Sequence, residues 1–369
     1  MKKIFASFFV VLCLLCQTAF AQAEIDKSRK NAITEAVKNA SPAVVGINIT
    51  EVIQERRSYY DSMFDDMMRF FGQNPNTGRY REVHGLGSGF IISNDGYIVT
   101  NYHVAGNASK IVITTTEGEK YDAQIVGSDK TSDVALLKID AKKRLPFLKI
   151  SNSDDVAIGE WAIAFGNPFG LFNLNAKPTV TVGVVSNAGI DFLQDNSVFK
   201  GMLQTDAAIS SGNSGGPLVN AKGEVIGMNT LIFSTAQNGA GAGSIGIGWA
   251  IPSNRVMKIV EKLRKSETIN RNFFLGMDLQ DLDQRTARYY NIESESGVFV
   301  TRTYSNSVAS KAGIDPGDLI IEINGTTIKD ANEFYLNVLD GEVGQKFEFT
   351  ILRGNQKLYT NFTLTERKR

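Results

Sequence analysis

From Ala43 onward the chain is cut into short β-rich runs joined by tight turns, with no helical crossovers between them. A first set comprises Val44–Ile49, Gly89–Ile92, Tyr97–Thr100, Ile111–Thr114 and Val134–Ile139, with turn signals such as Asn94-Asp95-Gly96 between them. A second set comprises Trp161–Phe165, Thr179–Ser186, Leu218–Val219, Val225–Asn229 and Ile245–Ile251. Strands so arranged can bury their apolar faces only in sandwiches or closed barrels. Abundant glycine (34) and scarce proline (8) suit such a turn-rich fold, and 43% apolar with 21% charged residues describes a folded globular chain.

Helical spacing occurs at two places in this part of the chain. Asn31 to Ala40 carries Ile33 and Val37 and stops at Ser41-Pro42, and Ser253-Asn254 caps a segment with Val256, Ile259, Val260 and Leu263. The latter runs into the polar stretch Lys265–Asn270, which reads as a domain boundary. Beyond it lie Phe273–Met277, Gly297–Val300, Ser307–Gly313, Asp315–Gly325 with an Asn324-Gly325 hairpin turn, and closing strands at Phe347–Leu352 and Leu358–Leu364. A length of 369 residues fits two or three domains. The expected division is 1–21 export signal, 22–42 N-terminal segment, 43–258 β-barrel domain, 259–271 linker helix and 272–367 C-terminal domain.

Lys2 and Lys3, the apolar run Ile4–Cys16 and the small-x-small site Ala19-Phe20-Ala21 read as a signal cleaved near Ala21. The run is about 13 residues, short of the roughly 20 a membrane helix needs, so no stable span is expected. Both cysteines, Cys13 and Cys16, lie within it, which leaves the mature chain without disulfides or thiolate ligands. With two histidines, no metal centre or other cofactor is expected, and equal numbers of basic and acidic residues (39 each) give no footprint for nucleic acid. The insertion Glu51–Val83 mixes charges with Met63, Phe64, Met67, Met68, Phe70 and Phe71. It reads either as an amphipathic helix on its own barrel or as an adaptable surface for a subunit or an unfolded client.

Chemistry is concentrated in Ser211-Gly212-Asn213-Ser214-Gly215-Gly216-Pro217-Leu218, a serine among glycines that let a reacting carbonyl approach the backbone. Serine needs a base, an orienting acid and donors for the developing oxyanion. Thr100-Asn101-Tyr102-His103 and Ser132-Asp133-Val134-Ala135 supply the first two. The order His103, Asp133, Ser214 is that of the chymotrypsin-type triad, so the residues read as a serine endopeptidase. His84, outside these motifs, reads as a surface or strand-edge residue.

With Gln204-Thr205-Asp206-Ala207-Ala208-Ile209 and Gly212-Asn213-Ser214-Gly215-Gly216, these motifs closely resemble the HtrA serine proteases over almost all of the mature sequence. The resemblance implies a mainly β fold, a chymotrypsin-like double β-barrel followed by an α/β PDZ domain. In the implied mechanism Ser214 attacks, His103 relays the proton and Asp133 orients the imidazole. Backbone N–H groups of Gly212 and Ser214 line the oxyanion hole, with Asn213 supporting that turn. Leu231, Ile232 and Phe233 match the family's pocket wall, although as short apolar runs they also suit a core strand. Because Ala207–Ser211, including Ile209, holds no carboxylate, cleavage is expected after small or medium aliphatic residues, with loose selectivity.

Phe274-Leu275-Gly276-Met277 matches the PDZ loop that receives a peptide's terminal carboxylate, or else marks a plain strand start. Loops Leu171–Lys177 and Thr235–Ser244 flank the expected site, and peptide at the PDZ domain would shift them toward a competent oxyanion hole. The function expected is an exported, ATP-independent endopeptidase of the periplasm, assembled as a homotrimer or multiples of trimers. Its partners would be misfolded proteins and hydrophobic C-terminal peptides. Two alternatives are a chaperone or peptide-binding protein with a largely inactive triad, and a site-specific stress-signalling protease.

Overall fold

The computed structural model describes residues 28–54, 80–167, 177–194, 197–210, 212–232, 246–294, 296–354 and 356–367. The expected export signal, both cysteines, Phe233, residues 55–79 of the Met/Phe insertion, residues 171–176 and the loop Thr235–Ser244 lie outside them.

Helix α1 (Ala32–Ala40) begins at Asn31, whose side chain accepts from Thr34 N–H while Thr34 reciprocates, and it buries Ala36 and Ala40. The first six strands are β1 (Val44–Gln54), β2 (Tyr80–Ile91), β3 (Tyr97–Thr100), β4 (Lys110–Thr114), β5 (Lys120–Asp129) and β6 (Val134–Ile139). They close into a barrel in the order β1-β2-β3-β6-β5-β4. A short turn of helix, α2 (Tyr102–Ala105), interrupts them after β3. Ile47, Phe90, Ile98, Ile113 and Leu136 are among its fully buried side chains.

A second barrel closes as β10-β11-β12-β9-β8-β7, from β7 (Trp161–Gly166), β8 (Thr179–Gln194), β9 (Ser197–Thr205), β10 (Pro217–Val219), β11 (Val225–Ile232) and β12 (Gly248–Pro252). Alanines fill part of its interior, Ala162, Ala164, Ala207 and Ala250 packing with Val185, Leu203, Ile209, Leu218 and Ile226. Closure leaves no sheet edge to template aggregation, which suits strands this apolar. Helix α3 (Ser253–Leu263) follows and buries Val256, Ile259, Val260 and Leu263, as its spacing predicts.

The C-terminal sheet runs β13-β14-β15-β17-β18, with β16 hydrogen-bonded to β15. Its strands are β13 (Met277–Asp281), β14 (Val298–Thr303), β15 (Asp318–Ile323), β16 (Thr326–Thr327), β17 (Lys346–Arg353) and β18 (Gln356–Thr363). Helices α4 (Gln284–Tyr289), α5 (Val308–Lys311) and α6 (Ala331–Val338) complete it. Asn324 and Gly325, at φ 49° and 78°, form the turn between β15 and β16; both central residues of a type I′ turn need positive φ. The core gathers Val298, Val300, Ile320, Phe334, Phe347, Phe349 and Ile351. Two barrels followed by an α/β sheet match the expected fold class.

Contacts divide the chain into two compact units. One runs to Gln124 and resumes over Leu137–Ala188 and Leu203–Val256; the other joins Ile125–Leu136 and Gly189–Met202 to everything from Met257.

Candidate active site

The loop carrying Ser214 is built by glycines that only glycine backbone geometry allows. Gly212 and Gly215 have φ of 94° and 81°, and a Cβ on Gly215 would run into Thr100 Oγ1 and Ser88 O. Ser210 O accepts from Asn213 N–H at 2.9 Å, so this N–H is engaged within the loop, and Asn213 O accepts from Gly216 N–H at 2.9 Å. Asn229 O accepts from Gly215 N–H at 2.8 Å, while the Asn229 side chain donates to Phe165 O and Pro217 O. The Ser214 side chain is half-buried, and its hydroxyl donates to Thr230 O at 3.1 Å.

Ser88 of β2 holds this loop to the first barrel. Its N–H donates to Ser214 O at 3.0 Å and its hydroxyl to Gly212 O at 2.5 Å, while Oγ accepts from Asn167 N–H at 2.7 Å. Ser88 O in turn accepts from Thr100 Oγ1 at 2.7 Å, three residues ahead of His103. Buried polar networks of this kind are rigid only when their members are satisfied. The sequence reading missed Ser88; its signal was a small hydroxyl between Gly87 and Gly89, a pattern that permits close backbone approach.

His103 sits half-buried in α2, which starts at the buried Asn101 and rests Val104 where a Cβ on Gly87 would otherwise go. Asp133 lies one residue before β6, is 4% exposed, and has φ 57°. An L-residue in that left-handed region costs on the order of 1–2 kcal/mol, so the turn must be held from outside. Asp129 does so by accepting from Ser132 N–H at 3.2 Å and from Ser132 Oγ at 2.6 Å, and Lys130 O accepts from Asp133 N–H at 3.3 Å. Among the described residues no group of three or more His, Cys, Asp or Glu side chains could hold a metal ion.

In the C-terminal unit, Gly276 has φ 77° and would drive a Cβ into Ser307. Its carbonyl accepts from Tyr304 N–H at 2.8 Å and Ser307 Oγ at 3.1 Å, which fixes the turn Phe274–Met277. Phe274 is exposed and edge-on to Tyr304, with ring centroids 5.4 Å apart; Leu275 packs on the core and Met277 opens β13. β13 is the outer strand of its sheet, with one face of its ladder open beside α6. Burial, with the Asp278 charge adding to it, pushes the Tyr335 hydroxyl of α6 up.

A trypsin-like peptidase domain model matches residues 87–228, and a PDZ domain model matches residues 274–364. A probable periplasmic serine endoprotease, DegP-like, of Rickettsia prowazekii is 35% identical over 358 residues, covering 92% of this chain and 67% of the relative. Its counterpart in Chlamydia trachomatis is 38% identical over 362 residues, covering 94% and 70%. The chain belongs to the DegP-like, HtrA-type serine endoproteases. Among solved structures, the HtrA-type protease AlgW with a decapeptide is 32% identical at a TM-score of 0.70, covering 91% of this chain and 99% of that one. A serine endoprotease from Yersinia pestis is 32% identical at a TM-score of 0.62, covering 91% and 98%.

This HtrA-type chain is therefore a serine endopeptidase with a PDZ domain. Of the residues expected to choose its substrate, Ile209 is wholly buried in the second barrel's core, seated over Gly248. Leu231 and Ile232 end β11, paired with Trp249 and Gly248; their side chains, like that of His84 in β2 and the whole of Phe233, fall outside the described residues. Among the described residues no helix is long and apolar enough to cross a membrane.

Proposed function

We propose that this protease is exported to the periplasm after cleavage near Ala21 and degrades misfolded envelope proteins without ATP. Ser214 Oγ is the nucleophile, His103 the base and then the acid for the leaving amine, and Asp133 the group that fixes the imidazole tautomer. The glycine loop aims the N–H groups of Gly212 and Ser214 at the oxyanion; Asn213, whose own N–H is engaged, braces them. The observation that carries this reading is the double tether of Ser88 on Gly212 and Ser214, which preorganises the two residues that supply those donors. Turning the Ser214 hydroxyl from Thr230 O to the imidazole is then the first step of a productive encounter.

Cleavage after small or medium aliphatic residues follows from the apolar sequence of the pocket wall. The open edge of β13 beside the Phe274–Met277 turn supports addition of a hydrophobic C-terminal peptide as an extra strand. Exposed Ile158, Trp161 and Val182 around β7 and β8 offer an apolar surface that neighbouring copies in a trimer would cover. Casein incubated with the wild type and with Ser214→Ala tests the central claim. Fragments ending in Val, Ala or Ile with the wild type alone support it, whereas suppressed aggregation without cleavage in both would favour a chaperone. Light scattering on the same samples reads the copy number.

A further inference from the structure

Arg271 is among the least exposed charged side chains of the described chain, and each of its three nitrogens donates a hydrogen bond. Its Nε donates to Asp129 Oδ1 and its Nη2 to Asp129 Oδ2, each at 3.0 Å, a two-pronged pair whose side chains are 8% and 4% exposed. The third nitrogen, Nη1, donates to Asp340 O and, at 3.3 Å, to Gly341 O, and lies 3.3 Å from the Asp340 carboxylate. Asp340 and Gly341 form the turn that follows α6, and Arg271 itself stands three residues before Phe274.

The other side of Asp129 is the turn that ends in Asp133. The same carboxylate accepts from Ser132 N–H and Oγ, and the turn is gripped by β9, whose Val198 N–H donates to Thr131 O at 2.7 Å. Ser197 Oγ adds a bond to Lys130 O at 3.2 Å, and Ser128 N–H donates to Glu267 O at 3.0 Å. One carboxylate thus joins a left-handed aspartate to a guanidinium that reads the end of α6.

We propose that Arg271 is a positioning residue for catalysis: through Asp129 and Ser132 it holds Asp133 in its left-handed conformation and makes that conformation depend on the Asp340–Gly341 turn. This rests on the assignment of Asp133 to the triad. Only a planar fork spans both Asp129 oxygens while leaving a nitrogen for two carbonyls, so lysine substitutes poorly. Loss of the fork frees the Asp133 turn, lowers the fraction of molecules with a correctly oriented imidazole, and reduces kcat rather than substrate affinity.

The test uses the full mature chain with a short fluorogenic peptide substrate, comparing wild type, Arg271→Lys, the charge-neutral double variant Arg271→Gln/Asp129→Asn, and Asp133→Asn. Circular dichroism and melting temperature are recorded for each, and rates are taken well below the melting range. Expected is a fall in kcat of at least tenfold for the double variant with KM within about twofold, and an intermediate kcat for Arg271→Lys. If the neutral double variant does not fold, Arg271→Lys, which keeps the charge, carries the test: its kcat falls below that of the wild type with KM within about twofold. Wild-type or raised kcat in folded Arg271 variants, with Asp133→Asn inactive, overturns the positioning role alone. Wild-type cleavage by Asp133→Asn overturns the triad assignment and the proposal with it.

Discussion

Ser88 donates its hydroxyl to Gly212 O at 2.5 Å although the two residues lie 124 positions apart. The bond brings the N-terminal barrel to bear on the loop of the nucleophile, and it does so through a side chain with no exposed surface.

Ser88→Ala leaves Gly212 O and the N–H of Asn167 without that partner. Those two groups keep a bond to each other at 3.2 Å, so the expected cost is about 0.5–1.5 kcal/mol of stability, the usual net contribution of a hydrogen bond. Activity should fall about tenfold to a hundredfold, somewhat below the loss from deleting an oxyanion donor outright. Melting curves and kcat on a peptide substrate check both, and a normal kcat would assign Ser88 to folding alone.

Gly215→Ala and Gly189→Ala share a positive φ, 81° and 80°, but differ in surroundings. At Gly215 a methyl meets Thr100 Oγ1 and Ser88 O, whereas at Gly189 it meets open space. The second substitution should cost roughly 1–2 kcal/mol from backbone conformation alone. The first should add a packing clash of about 1–3 kcal/mol and abolish cleavage. Equal destabilisation in urea titrations would refute the clash.

Gly276→Ala pairs a positive φ with a collision against Ser307, so the Phe274–Met277 turn cannot keep its shape. Binding of a hydrophobic C-terminal peptide, followed by fluorescence anisotropy, should weaken at least tenfold, roughly 1.4 kcal/mol. Cleavage of a short peptide lacking such a terminus should change far less.

The Lys149 ammonium, 2.5 Å away, holds the Glu224 carboxyl below its ordinary range. A lowered native value means that this stabilisation is full above the unfolded value near 4.5 and is lost as pH falls through the depressed native one. Lys149 is largely exposed, so the contribution is below about 1 kcal/mol. Glu224→Gln should lower the melting temperature slightly at neutral pH and match the wild type in strong acid. A difference that grows on acidification would reverse the assigned sign.

Much of this architecture was legible along the chain. The α1 and α3 periods, the Asn324-Gly325 turn and the short β-rich runs are local signals, and among the described residues they became the elements expected. β5 was not read because Lys120, Asp122 and Gln124 alternate with Tyr121, Ala123 and Ile125, leaving no compact apolar run, and pairing with β4 makes the strand. α6 was hidden likewise: Asn332, Glu333 and Asn337 dilute the apolar spacing, and the Asp330 cap and packing of Phe334 on the sheet make the helix. The serine loop showed through its glycines, whereas Ser88, Asn229 and Arg271 carry no local pattern that names their partners. The Arg271–Asp129 pair spans 142 positions, and only the folded chain can bring them together.

Residues Ile125–Leu136 and Gly189–Met202 group with the chain from Met257, not with the strands on either side of them. Chimeras between relatives should therefore exchange these three stretches as one block. A swap cut cleanly at the end of the second barrel would set one parent's Arg271 against the other's Asp129, and would test a mismatch where a module exchange was intended.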